Sequence, residues 1–328
     1  MRIAVCHKPH QISVETRPIP DLDGDKILVR VALCGICGSD LALWDGSERK
    51  YPYTPGHEFS GRVERVGSKV RDISPGQRVV IDPNLGCGEC PYCRRGLPNL
   101  CDFLKSRPIK SNGGFSEFVS LDHRMAHPLP PSLTDEQATF VEPLSCAIRI
   151  VEVAEAMKSD TVVIFGGGIL GILVGTVLAS RGNHFLYIEP IPQRRRQLKT
   201  LFNTECLIPE QLVDSKAYGQ FDVAIDCSGN PKALAQAISI LSKAGTLVLA
   251  GLVKSGKIES SVDQITRKEL KLKGAWLNPN TFTDAIALTV KSRSLLRRLD
   301  TKTFPLSEIE QAFECAAQKR FNKVFVRP

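Results

Sequence analysis

Six consecutive residues, Gly166-Gly167-Gly168-Ile169-Leu170-Gly171, restrict this chain more than any other stretch. They fit the spacing G-x-G-x-x-G, which is weak evidence alone. Here the β-branched run 161–165 precedes them and an uncharged apolar segment follows. A strand, a glycine turn and a helix in that order aim backbone N–H groups and the positive end of a helix dipole at a pyrophosphate. Glu189 stands 21 residues after Gly168, at the end of the next expected strand, where a carboxylate accepts hydrogen bonds from a ribose. Gly166, Gly168, Ile169, Leu170, Gly171 and Glu189 are therefore the expected dinucleotide contacts, weighed against a glycine-rich turn that binds nothing. The uncharged stretch 161–180 also approaches the length of a membrane span, with small-xxx-small spacing at Gly167, Gly171 and Gly175. Its division into strand, turn and helix argues for a soluble sheet instead.

That texture continues. Candidate strands at 161–165, 185–189, 221–226, 246–250 and 270–276 alternate with helix-patterned segments around 169–181, 193–202 and 231–241, which predicts an α/β unit with a doubly wound parallel sheet of Rossmann type. The first 140 or so residues instead read as short strands broken by turns, with β-rich runs at 27–33, 78–81 and 115–119. The last residues hold amphipathic segments near 283–290 and 307–317 and a strand at 323–326. A length of 328 residues, 42% of them hydrophobic, supports two domains. The net charge of +8 suits an anionic cofactor, and without a basic face interleaved with aromatics it points away from nucleic acid. Eleven cysteines, an odd number, with no apolar leader pattern at the start, lead us to expect a cytoplasmic protein whose clustered cysteines bind metal.

The clearest metal signal is Cys87-x2-Cys90-x2-Cys93-x7-Cys101. Four closely spaced thiolates can wrap one tetrahedral zinc, and Gly86, Gly88, Pro91, Gly96 and Pro98 supply the turns. An iron–sulfur cluster is the rival, but ferredoxins place their fourth cysteine after three residues and before proline, whereas Cys101 precedes Asp102. With all four positions filled by cysteine, the site is expected to be structural. A second, scattered set comprises Cys34, Cys37, Ser39 and Asp40, then His57-Glu58, then Glu142 and Cys146. One thiolate, one imidazole and a carboxylate match the mixed ligands of a catalytic zinc with an open position.

The residues CGSD at 37–40, PGHEFSG at 55–61, VGSKV at 66–70, PGQRV at 75–79, EPLSC at 142–146, DCSG at 226–229, FPLSEIEQAFE at 304–314 and KVFVRP at 323–328 give the chain a family likeness. It resembles a zinc-dependent medium-chain dehydrogenase/reductase of the alcohol dehydrogenase superfamily. It is most similar to the polyol dehydrogenase branch, because EPLS stands where simple alcohol dehydrogenases carry a third cysteine ligand. The likeness implies a GroES-like catalytic domain at 1–145 with its zinc lobe at 86–102, a dinucleotide domain at 146–280, and a segment 281–328 that returns to the first. It implies Cys37 and His57 as catalytic zinc ligands, with Glu58 and Glu142 both open as the third. Cys34 and Cys146 are then packing residues. Ser39 would accept the substrate's hydroxyl proton. Many relatives end the proton relay on a histidine three residues later, where this chain has Ala42.

Two zinc ions per chain and NAD are the expected cofactors, with Ser228 and Arg194 beside the nucleotide; Glu189 would repel the 2′-phosphate of NADP, while the run Arg194-Arg195-Arg196 could attract it. The implied reaction passes hydride from a secondary alcohol of a polyol, sugar alcohol or cyclitol, free or phosphorylated, to nicotinamide, leaving a ketone. Trp44, Phe115 and Trp276 are the aromatics expected nearest the substrate. A threonine-type amino-alcohol dehydrogenase and a non-catalytic nicotinamide sensor are the alternatives. The expected partner is a small alcohol, without nucleic acid or membrane, in a homodimer or homotetramer.

Overall fold

The computed structural model describes residues 1–46, 51–106, 113–212, 219–252, 257 and 262–328. It forms two units, Met1–Glu142 with Pro279–Pro328, and Pro143–Asn278.

In the first unit the long strand Lys26–Gly35 is central. Ile27, Leu28, Val29 and Leu33 are all buried, so both faces are covered and the sequence reads as an almost continuous apolar run. The sheet runs Thr301–Pro305, Lys323–Arg327, Lys26–Gly35, Glu58–Val66, Arg78–Ile81, Ala126–Pro128, with Phe118–Asp122 also paired to Lys26–Gly35. The last strand of the chain thus lies beside one of the first, with Phe325 opposite Gly35 and Val326 opposite Cys34. A hairpin of Arg2–Lys8 and Gln11–Thr16 adds a second small sheet, and Ala4, Cys6 and Ile12 enter the same core as Phe59, Phe115 and Phe313.

The strand expected at 115–119 begins three residues later, at Phe118–Asp122. Residues 115–117 bond to the N-terminal hairpin instead: Ala4 N–H donates to the Phe115 carbonyl at 2.8 Å and Glu117 N–H to that of Arg2 at 3.0 Å. Phe115 and Trp44, expected near the substrate, are core residues, each packed against the Phe313 ring. Phe313 comes from the closing helix Ile309–Ala317, remote from both in sequence.

The second unit is a six-stranded parallel sheet in the order Cys206–Leu207, Phe185–Ile188, Val162–Phe165, Phe221–Asp226, Leu241–Leu249, Lys271–Gly274. Numbered along the chain this is 3-2-1-4-5-6, the doubly wound order whose reversal point lies beside the first strand. The two-residue strand Cys206–Leu207 escaped the sequence reading because so short a run has no period to detect. Among the described residues no helix is long and apolar enough to cross a membrane. The uncharged stretch divides into Val162–Phe165 and the helix Ile169–Arg181, whose residues from Gly171 to Leu178 are buried.

Candidate functional site

Cys37 precedes the short helix Gly38–Trp44, and the Asp40 carboxylate reaches back over the first turn so that Oδ2 accepts the Cys37 N–H at 2.9 Å. Its other oxygen, Oδ1, accepts the Gly56 N–H at 3.2 Å and lies 3.5 Å from His57 Nδ1. One fully buried carboxylate therefore holds the loop carrying His57 and faces the ring at ion-pair distance, while Nε2 lies 3.5 Å from Ser39 Oγ. Burial pushes the Asp40 carboxyl up, but His57 and the two N–H donors outweigh it and hold it below the usual range. Burial likewise pushes His57 down, and Asp40 and Cys37 more than reverse this, holding the imidazole well above its ordinary value. Anions that favour a proton on the ring favour a metal cation there too.

Glu58 opens the strand Glu58–Val66 and is 1% exposed. A sulfur of Cys37, a ring nitrogen of His57 and a carboxylate oxygen of Glu58 lie within 4.8 Å of one another. Glu142 does not join that triangle. It sits buried in the first turn of the helix Val141–Ala154, its carboxyl pushed up to about 7 by burial, with the His57 and Lys323 charges opposing and the Glu58 charge adding to the rise. Cys34 is fully buried in the core, as a packing residue should be.

The four cysteines of the lobe also converge, with their sulfurs within 4.8 Å of one another. Glu89 and Cys90 N–H donate to Cys87 Sγ at 3.4 and 3.3 Å, Cys93 N–H to Cys90 Sγ at 3.5 Å, and Cys87 and Phe103 N–H both to Cys101 Sγ at 3.3 Å. Backbone donors aimed at sulfur stabilise thiolates, and the bond from Cys93 brings Cys90 down to about 6. Partial burial pushes Cys93 up to about 12. Four crowded sulfurs cannot all ionise without a cation between them, so the donor set fits zinc. The mixed triangle fits it equally, with fewer protein ligands and room for a further oxygen.

In the second unit Gly166 follows the strand Val162–Phe165 at φ +98°, a conformation that disfavours any side chain. A Cβ on Gly171 would fall 2.0 Å from the Gly166 carbonyl oxygen, so the helix can pack on the turn only with glycine there. The helix Ile169–Arg181 starts at Gly168 with no side-chain cap, which leaves the first-turn N–H groups of the helix available to an anion. Glu189 is 2% exposed: Oε2 accepts the Gly167 N–H at 2.7 Å and Oε1 the Ile191 N–H at 2.8 Å. Arg194 lies 3.8 Å from the same carboxylate, and Arg195 donates to the carbonyls of Glu189 and Pro190. Ser228 lies against the turn, its Cβ 3.2 Å from where a Cβ on Gly166 would stand, and its hydroxyl donates to the buried Asp226 at 2.6 Å. The cradle fits a dinucleotide: bare glycine backbone, an uncapped helix and a fixed carboxylate. Trp276 lies beyond the edge strand Lys271–Gly274 and is 49% exposed.

The sequence reading placed Asp40 in the scattered set without giving it a role and did not single out Lys323 as a functional residue. Asp40 had a signal, since a carboxylate three residues after a ligand on a helix start can bond back to it. Lys323 had none, because only the sheet brings it to Glu58.

A doubly wound dinucleotide sheet combined with two zinc-competent sites defines a zinc-dependent nicotinamide oxidoreductase. Residues 23–131 match the alcohol dehydrogenase GroES-like domain and residues 170–291 the zinc-binding dehydrogenase domain. The chain is 30% identical over 345 residues to the sorbitol dehydrogenase of Bacillus subtilis, a match covering 100% of this chain and 97% of the relative. A zinc-binding dehydrogenase of Sinorhizobium meliloti bound to NADP superposes with a TM-score of 0.92 at 31% identity, covering 100% and 99% of the two chains. An alcohol dehydrogenase of Escherichia coli in complex with NADH does so with 0.91 at 29%, again covering 100% and 99%. The protein belongs to the zinc-dependent medium-chain dehydrogenases, in their polyol dehydrogenase-like branch.

Proposed function

We propose that this protein oxidises a secondary alcohol of a polyol, sugar alcohol or cyclitol to a ketone, with NAD as hydride acceptor. The observation that carries the reading is the triangle of Cys37, His57 and Glu58, three metal-ligating side chains from separate stretches within 4.8 Å of one another. When bound there, zinc supplies a Lewis acid that lowers the pKa of a substrate hydroxyl, and the nicotinamide supplies the hydride acceptor. Cys37, His57 and Glu58 hold the metal and leave a position open. Glu142, its carboxyl pushed up to about 7 by burial, is not one of the three. Ser39 Oγ, 3.5 Å from His57 Nε2, takes the hydroxyl proton. With Ala42 where many relatives have a histidine, no imidazole follows Ser39 in that position, and water would take the proton onward. Cys87, Cys90, Cys93 and Cys101 hold the second, structural zinc.

Gly166, Gly168, Ile169, Leu170 and Gly171 receive the pyrophosphate, Glu189 the adenosine ribose, and Arg194 and Ser228 flank them. NAD rather than NADP is supported by the Glu189 carboxylate, whose fixed negative charge opposes a 2′-phosphate. The polyol class is supported by the Bacillus relative, a sorbitol dehydrogenase, over nearly the full length of both chains. Assembly of identical subunits is supported by the strand Lys271–Gly274, which ends the sheet among the described residues, and by the exposed side chain of Trp276 just after it. A cytoplasmic location is supported by eleven cysteines all free of disulfides.

A panel of four- to six-carbon polyols, their phosphates, inositols and L-threonine, followed by the absorbance of reduced nicotinamide, tests the reading. Turnover of a polyol with two zinc ions per chain is the expected result. Turnover of L-threonine alone would move the assignment to amino alcohols, and one zinc per chain with no turnover would make the protein a sensor. Replacing Cys37 with Ala is expected to abolish turnover while the four-cysteine zinc stays bound.

A further inference from the structure

Gly35, Glu58 and Lys323 lie on three strands, at the end of Lys26–Gly35 and the starts of Glu58–Val66 and Lys323–Arg327. Gly35 faces Glu58 across one ladder and Phe325 across the other. Lys323 Nζ and Glu58 Oε2 form an ion pair with both side chains almost fully buried, 2% and 1% exposed. A Cβ on Gly35 would fall 2.6 Å from Glu58 Oε2 and 2.7 Å from Lys323 Cε, so the bare position makes room for the pair. A buried pair of this kind is a poor source of stability, since desolvation of two charges offsets most of their attraction. Its place beside a metal triangle gives it another use.

We propose that Lys323 is the positioning residue of the metal site: by engaging Glu58 Oε2 it leaves Oε1 as the one oxygen free for the metal and so keeps a coordination position open for substrate. The inference rests on Glu58 being the third ligand.

The test uses full-length protein with cobalt in place of zinc, read as a difference against Cys37→Ala, which retains the four-cysteine site. Lys323→Met should free Glu58 to chelate through both oxygens. The cobalt absorption then weakens as coordination number rises, metal release to a chelator slows about tenfold, and kcat falls with little change in KM. Lys323→Arg restores the spectrum and the release rate. A spectrum and release rate in Lys323→Met equal to those of the parent, whatever the melting temperature, would overturn the proposal. Removing both charges in Glu58→Gln/Lys323→Met relieves the burial problem should the single variant not fold. If Lys323 acts through Glu58, this double variant matches Glu58→Gln in spectrum and release rate, and a difference between the two also overturns the proposal. An unchanged cobalt spectrum in Glu58→Gln alone would instead sink the underlying three-ligand reading, with Glu142 the remaining carboxylate.

Discussion

Asp40 shows how one buried side chain does three jobs with two oxygens. It bonds the N–H groups of Cys37 and Gly56 and faces His57 Nδ1, so the two ligands are oriented by the same carboxylate. Asp40→Asn keeps the shape but turns one acceptor into a donor that meets either an N–H group or the imidazole. Outer carboxylates of this type typically contribute about 10–100-fold to metal affinity or activity, and a loss of that size is expected here. Chelator competition and kcat/KM measure it; values within a factor of two or so of the parent would show that Asp40 does not orient the site. Residue types at this scale were readable: Cys37, His57 and Glu58 could be picked out as a mixed ligand set. Which of Glu58 and Glu142 joins the triangle was not, because both carry the same chemistry and only the tertiary placement of a strand start and a helix start separates them.

The decisive element is the strand, turn and helix from Val162 to Arg181, where Gly171 touches the Gly166 carbonyl and Tyr187 Oη donates to the Gly171 carbonyl at 3.0 Å. Gly171→Ala would press a methyl group onto that carbonyl. Overpacking a tight contact costs about 1–3 kcal/mol, and relief is available only by shifting the helix start away from the turn. A lower melting temperature together with an NAD dissociation constant raised by about tenfold or more is expected, from thermal denaturation and calorimetric titration. Unchanged NAD binding would detach Gly171 from the pyrophosphate cradle. This element was legible because apolar period, glycine spacing and the distant carboxylate agree. Its edges were less so: the last strand of the sheet is Lys271–Gly274, shorter than 270–276, since pairing to Leu241–Leu249 stops where that partner ends.

Across the whole molecule, the chain leaves its first unit at Glu142 and returns at Pro279. The strand Lys323–Arg327 lies inside the sheet of that first unit, with partners on both sides. A fragment of residues 143–278 is therefore expected to fold and bind NADH alone, as seen by cooperative melting and quenching of its own fluorescence. A fragment of residues 1–142 should not, because it exposes an edge of Lys26–Gly35 and lacks Ile309, Ala312 and Phe313 from its core. Soluble, cooperatively melting 1–142 would show the return segment to be dispensable. In the intact chain, stripping the four-cysteine zinc should lower the melting of the first unit selectively, so that calorimetry resolves two transitions where the metal-loaded protein gives a closer pair.

Local spacing alone determined the glycine turn, the four-cysteine lobe and the alternation of strands and helices, since each is written within a few tens of residues. The tertiary structure decided whatever depends on partners far apart in the chain. It packed Trp44 and Phe115 into the core under Phe313, and it brought Lys323 to Glu58 across 265 positions of sequence. Burial and strand register are properties of the assembled sheet; a lysine near the end of a chain carries no mark of the carboxylate it will meet.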